Sequence, residues 1–212
     1  MLTIWLNYMV KKEKDDSTEE RILEAAKKVF IRNGMAGARM QDIADEAGIN
    51  KALLHYYFRN KEQLFQTIFS KLSIGFWEHI TSIFESETPL FDKIELFCDA
   101  YIDKIIENPY IPLFILYEMN QQPEKFVKKL FGNRPPNPHS FFMQVKHEVK
   151  AKTIRPINPP QLLMHMISMC VFPFIAKPMF KTVMHVDDAV FTQLMRDRKK
   201  EIPQFIISSI KK

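Results

Sequence analysis

Apolar residues recur at three- and four-residue intervals through almost the whole of this chain, and no run alternates polar with apolar long enough to make a strand. That pattern restricts the fold to the all-α class, since residues at i, i+3, i+4 and i+7 share one face of a helix. Ser17 and Glu20 form a capping box, the serine hydroxyl serving the third helical amide while the glutamate reaches back to the cap. The helix so opened carries Ile22, Ala25, Ala26, Val29 and Phe30 on one face, and Asn33-Gly34 supplies a left-handed stop. Met40, Ile43, Ala44 and Ala47 make a short second helix ending at Gly48, and a third runs from an Asn50 cap through Tyr57. Asn60 caps a longer helix with Leu64, Phe65, Ile68, Phe69, Leu72, Phe76, Ile80 and Ile83 in its stripe. Thr88 as cap and Pro89 at the first helical position open a helix that stops before Asn108-Pro109. Further helices are expected at about 111–120, 123–130, 140–152, 159–176 and 187–210, with Arg134-Pro135-Pro136-Asn137-Pro138 as a loop and Pro203 kinking or breaking the last helix.

Proline placement divides the chain, because none of the 13 prolines precedes Pro89. Residues 1–16 are expected to be a flexible N-terminal extension, 17–62 a compact first unit and 63–212 a larger helical one. The segment MLTIWLNYMV has neither the basic start nor the small-residue cleavage site of a signal peptide, and it is too short to span a bilayer. Met9, just before the polar run KKEKDDS, is an alternative start to Met1. No charged residue falls between Arg155 and Lys177, yet the uninterrupted apolar part, Leu162 to Phe172, is shorter than the ~20 residues a spanning helix needs. A buried interface helix is expected there, and no membrane partner. Cys98 and Cys170 stand far apart inside apolar runs, which suits free thiols in a reducing cytoplasm. With 46% hydrophobic and 26% charged residues the composition excludes the disordered, collagenous and disulfide-framework classes. A net charge of +5 permits an anionic partner.

The segment 40–58, MQDIADEAGINKALLHYYF, has the spacing that two helices around a tight turn require. A small residue sits where the helices touch, a glycine where the chain reverses and an apolar residue on the second helix facing the first: Ala44, Gly48 and Leu54. Ile43, Ala47, Ile49 and Tyr57 fill the neighbouring inward positions. This is a helix-turn-helix, whose second helix enters the DNA major groove. From Ile49 to Lys61 the basic residues Lys51, Arg59 and Lys61 are accompanied by no acidic one, the local cation density that phosphate attraction needs. His55, Tyr56 and Tyr57 add donors and aromatic surface that reach phosphates or thymine methyl groups. Taken singly, such lysines and tyrosines are equally a solvated face and a core.

Residues 18–64, TEERILEAAKKVFIRNGMAGARMQDIADEAGINKALLHYYFRNKEQL, resemble the DNA-binding domain of the TetR/AcrR (tetracycline-repressor-like) transcriptional regulators, most densely in AGINKALLHYYFRNKEQLF. The closing segment DRKKEIPQFIISSIKK is similar to the terminal helix of many members. The resemblance implies an all-α homodimer in which an N-terminal three-helix DNA-binding domain precedes a C-terminal helical domain for ligand binding and dimerisation. It implies double-stranded operator DNA as partner and a small-molecule effector that releases the repressor. By position, Gln41, Lys51, Ala52 and His55 are expected to face bases, and Tyr56, Tyr57 and Lys61 to contact the DNA backbone. The chain departs from the family pattern at Arg39, which contacts phosphate by charge but lacks the hydroxyl that caps the second helix in many members. It departs again at His55, where tyrosine is common, and at Leu53, which replaces a frequent small polar residue.

In the C-terminal unit Phe97, Tyr101, Phe114, Tyr117, Phe142 and Met143 lie on segments able to enclose a hydrophobic effector, and Glu118 and His147 supply polar groups to orient it. The same residues at helical spacing also describe a core. Leu163, Met166, Ile167, Cys170 and Phe174 on one late helix, with Phe205, Ile206 and Ser209 on the last, are the expected dimer interface, intrachain packing being the other reading. No H-E-x-x-H, phosphate-binding glycine loop or G-x-S-x-G occurs, and the histidines show no metal-ligand spacing. An enzyme is therefore not expected, nor a cofactor or metal. The rival to a regulator is a helical carrier of apolar molecules that has lost operator binding.

Overall fold

The computed structural model describes residues 2–121, 123–131 and 136–212, with backbone alone before Ser17. Among them the chain forms α1 (Leu2–Gly37), α2 (Met40–Glu46), α3 (Lys51–Tyr57), α4 (Lys61–Glu85), α5 (Leu90–Glu107), α6 (Ile111–Gln121), α7 (Pro123–Phe131), α8 (His139–Ala151), α9 (Pro159–Ile175), α10 (Lys177–Met184) and α11 (Asp188–Ile210). The only extended pairing among these residues is one isolated bridge between Ile154 and Lys211. The chain divides into two compact units, Met1–Leu72 and Ser73–Lys212, with α4 contributing to both.

The first unit is built on α1. Helical backbone begins at Leu2 rather than at the Ser17 capping box, since no glycine or proline interrupts the run that precedes it. The expected stop is present at Gly34, whose φ of 67° and ψ of 171° break the helical path. Ile22, Ala25, Ala26, Val29 and Phe30 are all buried. Leu64, Phe65, Ile68 and Phe69 of α4 are buried as well, and the rings of Phe30 and Phe65 meet edge-on at 5.0 Å. That packing carries the first unit to Leu72, ten residues beyond the boundary at 62 that the sequence suggests.

In the second unit α5 is the central helix, packed against α11, α9 and α8. Its buried Phe97, Cys98, Tyr101 and Ile102 join Phe84, Phe141, Met166, Cys170, Phe174, Ile206 and Ile210 in one core. Three local expectations are revised. The N-cap of α5 is Pro89, not Thr88, whose hydroxyl pairs instead with Ser86 Oγ at 2.9 Å. Pro203 lies inside α11 without interrupting it, and Pro173 does the same in α9. Between these helices the eight-residue α10 was not expected; it turns 71° from α9. The proline-rich loop at 134–138 lies partly outside the described residues.

Candidate nucleic-acid interface

The turn between α2 and α3 closes by two backbone bonds, Gly48 N–H to Asp45 O at 3.1 Å and Ile49 N–H to Ala44 O at 3.0 Å. This is the Schellman arrangement, which needs a left-handed residue after the helix, and Gly48 has a φ of 63°. Asn50 then caps α3, its Oδ1 accepting from Leu53 N–H at 2.8 Å. Ile43, Ala44, Ala47 and Leu54 are buried, so α3 is fixed by its inner face. Glu46 of α2 reaches back to Lys28 and Arg32 of α1, at 3.5 Å and 3.4 Å. Exposed pairs of this kind contribute little stability singly.

The opposite face of α3 is presented to solvent. Lys51, Ala52, Leu53, His55 and Tyr56 are exposed, Tyr56 by 79%, and Tyr57 is half-buried with its ring edge-on to Tyr56 at 5.3 Å. His55 Nδ1 faces Arg59 O at 3.2 Å. A carbonyl only accepts, so the proton sits on Nδ1, and in the neutral ring Nε2 is an acceptor. Gln41, exposed on α2, donates from Nε2 to Asp45 Oδ1 at 2.8 Å, leaving its carbonyl oxygen for another partner. Arg39 is exposed and makes no side-chain cap to α2, as expected from its lack of a hydroxyl. Asn60 Oδ1 caps α4 by accepting from Gln63 N–H at 2.8 Å, while Gln63 Oε1 accepts from Arg59 N–H at 3.0 Å.

Lys61 stands at the N-terminal end of α4, where the sequence puts it. Its ammonium donates to Met35 O at 3.0 Å, Ala36 O at 3.3 Å and Ala38 O at 3.3 Å, which employs all three of its protons. No residue type marks a backbone carbonyl, so sequence reading had no signal for this arrangement beyond the lack of a basic residue in the last turn of α1.

The eight expected effector residues of the second unit differ in burial. Phe97 and Tyr101 are core: Phe97 stacks on Phe84 at 5.5 Å, and Tyr101 meets Phe97 at 5.3 Å and Phe76 at 5.2 Å. Burial holds the Tyr101 phenol well above its ordinary range, and the neighbouring Cys170 adds to the shift. Phe114 is buried beside Phe126 at 6.3 Å, Phe142 and Glu118 are half-buried, and Tyr117, Met143 and His147 are exposed. None of the eight lines the groove of about 530 Å³ between α5 and α11, which is bordered by Asp92, Glu95, Asp99, Lys199 and Lys200. Lys199 bridges Asp99 at 2.8 Å and Asp103 at 2.7 Å beside that groove.

The expected dimer residues separate into two groups. Met166, Cys170, Phe174 and Ile206 are buried within the chain itself, where the apolar stripe of each helix meets α5 and its neighbours. The Cys170 thiol hydrogen-bonds to Cys98, and that bond with burial holds it far above the usual thiol range, the state of an inert core cysteine. Leu163 and Ile167 are half-buried, and Phe205 and Ser209 are exposed, Phe205 by 62%. Met164 and Phe172 on α9 are exposed too and were not among the expected contacts.

Residues 22–68 match the model of the family described as bacterial regulatory proteins, tetR family. The chain is 34% identical over 103 residues to the HTH-type transcriptional repressor SCO4008 of Streptomyces coelicolor, covering 49% of this chain and 50% of that protein. It is 39% identical over 99 residues to the uncharacterized HTH-type transcriptional regulator YfiR of Bacillus subtilis, covering 47% and 46%. The alignments thus span about half the length of these curated relatives or less. Over the whole fold it is similar to the crystal structure of HlyIIR, a hemolysin II transcriptional regulator, with a TM-score of 0.59 at 21% identity, covering 93% of this chain and 98% of that one. It is similar also to FadR from Bacillus subtilis in complex with stearoyl-CoA, with a TM-score of 0.59 at 13% identity, covering 90% and 98%.

Proposed function

We propose that this chain, whose residues 22–68 match the model of the tetR family of bacterial regulatory proteins, is a sequence-selective DNA-binding repressor of that family, active as a homodimer and released from its operator by a small molecule. The observation that carries this reading is the two-faced α3: Leu54 is fully buried, while Lys51, Ala52, His55 and Tyr56 are exposed on a segment without a carboxylate. A helix anchored on one side and cationic on the other is what insertion into a major groove requires. Lys51, Ala52 and His55, with Gln41 from α2, read base edges; Arg39, Tyr56 and Tyr57 meet phosphates. Two copies place two such helices in successive major grooves, so the operator is a near-palindrome. Phe205, Ser209, Leu163 and Ile167 remain as pairing residues because they keep surface outside the chain's own core.

A small molecule held by the second unit shifts the dimer toward an arrangement whose recognition helices no longer match the operator. A coupling of roughly 1–3 kcal/mol is usual for such a switch. The test is selection of duplexes from a random-sequence library at two salt concentrations, followed by binding measurements on the recovered duplex and a scrambled one. Recovery of an inverted repeat, bound by two chains with affinity falling steeply as salt rises, is the expected result. Equal binding to recovered and scrambled duplexes refutes sequence selectivity.

A further inference from the structure

We infer that Lys61 is a positioning residue that clasps the helix-turn-helix shut, rather than a group that meets DNA phosphate. Helix α1 ends in a broken turn at Gly34, and its last turn holds no basic residue to satisfy the terminal carbonyls. Carbonyls at a helix C-terminus have no partner within the helix and carry the negative end of its dipole, so a cation is favoured there. In this chain the cation comes from elsewhere: Lys61, the first residue of α4, places Nζ within 3.0–3.3 Å of Met35 O, Ala36 O and Ala38 O. These carbonyls sit just before α2, and Lys61 sits just after α3. The three bonds therefore join the two ends of the segment 38–61 that contains the whole helix-turn-helix.

The loop geometry around Lys61 supports the same reading. Asn60 Oδ1 fixes the start of α4 through Gln63 N–H, and Gln63 Oε1 fixes Arg59 N–H, so the backbone carrying Lys61 is held on both sides. Ala38 itself is buried, with its N–H donating to Gly34 O at 3.1 Å. An ammonium with three protons matches three converging oxygens, whereas a planar guanidinium presents its donors in one plane and does not.

The clasp is tested on the full-length protein in two ways; the labelling of the DNA-free protein stands apart from the DNA-reading function proposed above, and the measurements with duplex rest on it. In the DNA-free protein, reductive methylation read by mass spectrometry should label Lys61 several-fold more slowly than the exposed Lys51, and adding a selected duplex should protect Lys51 while leaving Lys61 unchanged. Labelling of Lys61 in the DNA-free protein as fast as Lys51 overturns the clasp. In the second arm, Lys61→Met and Lys61→Arg should each weaken binding to the selected duplex by roughly tenfold, with the slope of log affinity against log salt unchanged and discrimination over a scrambled duplex reduced. A lysine that contacts phosphate gives the opposite: Lys61→Met loses about 0.9 from the slope for each chain, about 1.8 for a bound dimer, and weakens both duplexes alike, and Lys61→Arg binds like the unaltered protein. Failure of the unaltered protein to discriminate between duplexes would refute the proposed function, leaving the labelling result to decide the clasp.

Discussion

Replacement of Gly48 isolates the conformational demand of the α2–α3 turn from every packing effect. A β-carbon built at Gly48 meets nothing within 4 Å, so the cost of a side chain there is confined to the backbone. The φ of 63° places the residue in the left-handed region, where an L-residue is about 1–2 kcal/mol less favourable. Removing a glycine also stiffens the unfolded chain, which returns about 0.4–1 kcal/mol. Gly48→Ala should therefore lower stability by about 0.8 kcal/mol at the middle of these ranges and by about 1.6 kcal/mol at most. Gly48→Asn should cost less, since asparagine visits this region more readily, and Gly48→Val more, since a β-branched residue is an outlier there. The assay is amide hydrogen exchange at Ile49 and Leu54, whose N–H groups donate to Ala44 O and Asn50 O at 3.0 Å and 3.2 Å across the turn and the first turn of α3. Exchange at both should accelerate roughly two- to tenfold in Gly48→Ala, with the order asparagine, alanine, valine. An alanine variant protected as well as the unaltered protein, or an order in which asparagine is the worst, would refute the left-handed turn.

Asn50→Ala removes the side-chain acceptor of Leu53 N–H and should lower stability by about 1 kcal/mol, measured by urea unfolding, while Asn50→Ser should recover most of it. Tyr56, exposed by 79%, should be replaceable by alanine with a stability change within about 0.5 kcal/mol, while affinity for a selected duplex falls; loss of both together would place Tyr56 in the core. The hydrogen bonds of Lys199 to Asp103 and Asp99 raise its affinity for the proton, so this pairing stabilises the fold at neutral pH and the contribution is lost as pH rises through the folded-state value, above the ordinary lysine value of about 10.4. Lys199→Met should accordingly be less stable than the unaltered protein at pH 7 and lose that difference above about pH 10.4, as followed by thermal melts; the pair is half-exposed, so the gap should stay under about 1 kcal/mol.

The first unit was legible because its signals are local. Gly34, Gly48, Asn50 and Asn60 each determine a turn or a cap within four residues of themselves, and all four do what their residue types suggest. At α5 the same logic slipped by one residue, because Ser86 competes for the Thr88 hydroxyl that would otherwise cap the helix. Helix α10 was missed because eight residues opening on Lys177-Pro178 carry too short a periodic pattern to distinguish from a linker. Apolar periodicity marks a buried face without saying what buries it. Met166, Cys170, Phe174 and Ile206 therefore read equally well as a surface for a second chain, yet they fill the core of their own. Phe97 and Tyr101 show the same ambiguity between a lined cavity and a filled one. The carbonyls that Lys61 meets lie some 25 residues away in sequence, so no local pattern announces them.

The central claim is that the exposed face of α3 reads the major groove, and methylation interference tests it most directly. A duplex recovered by selection is treated sparingly with dimethyl sulfate, which methylates guanine N7 in the major groove and adenine N3 in the minor groove, and bound and free fractions are compared base by base. Interference at guanine N7 in two patches related by the operator's symmetry, weakened when Lys51→Ala replaces the unaltered protein, is the expected result. Interference confined to adenine N3, or none at guanines within the half-sites, would contradict the account.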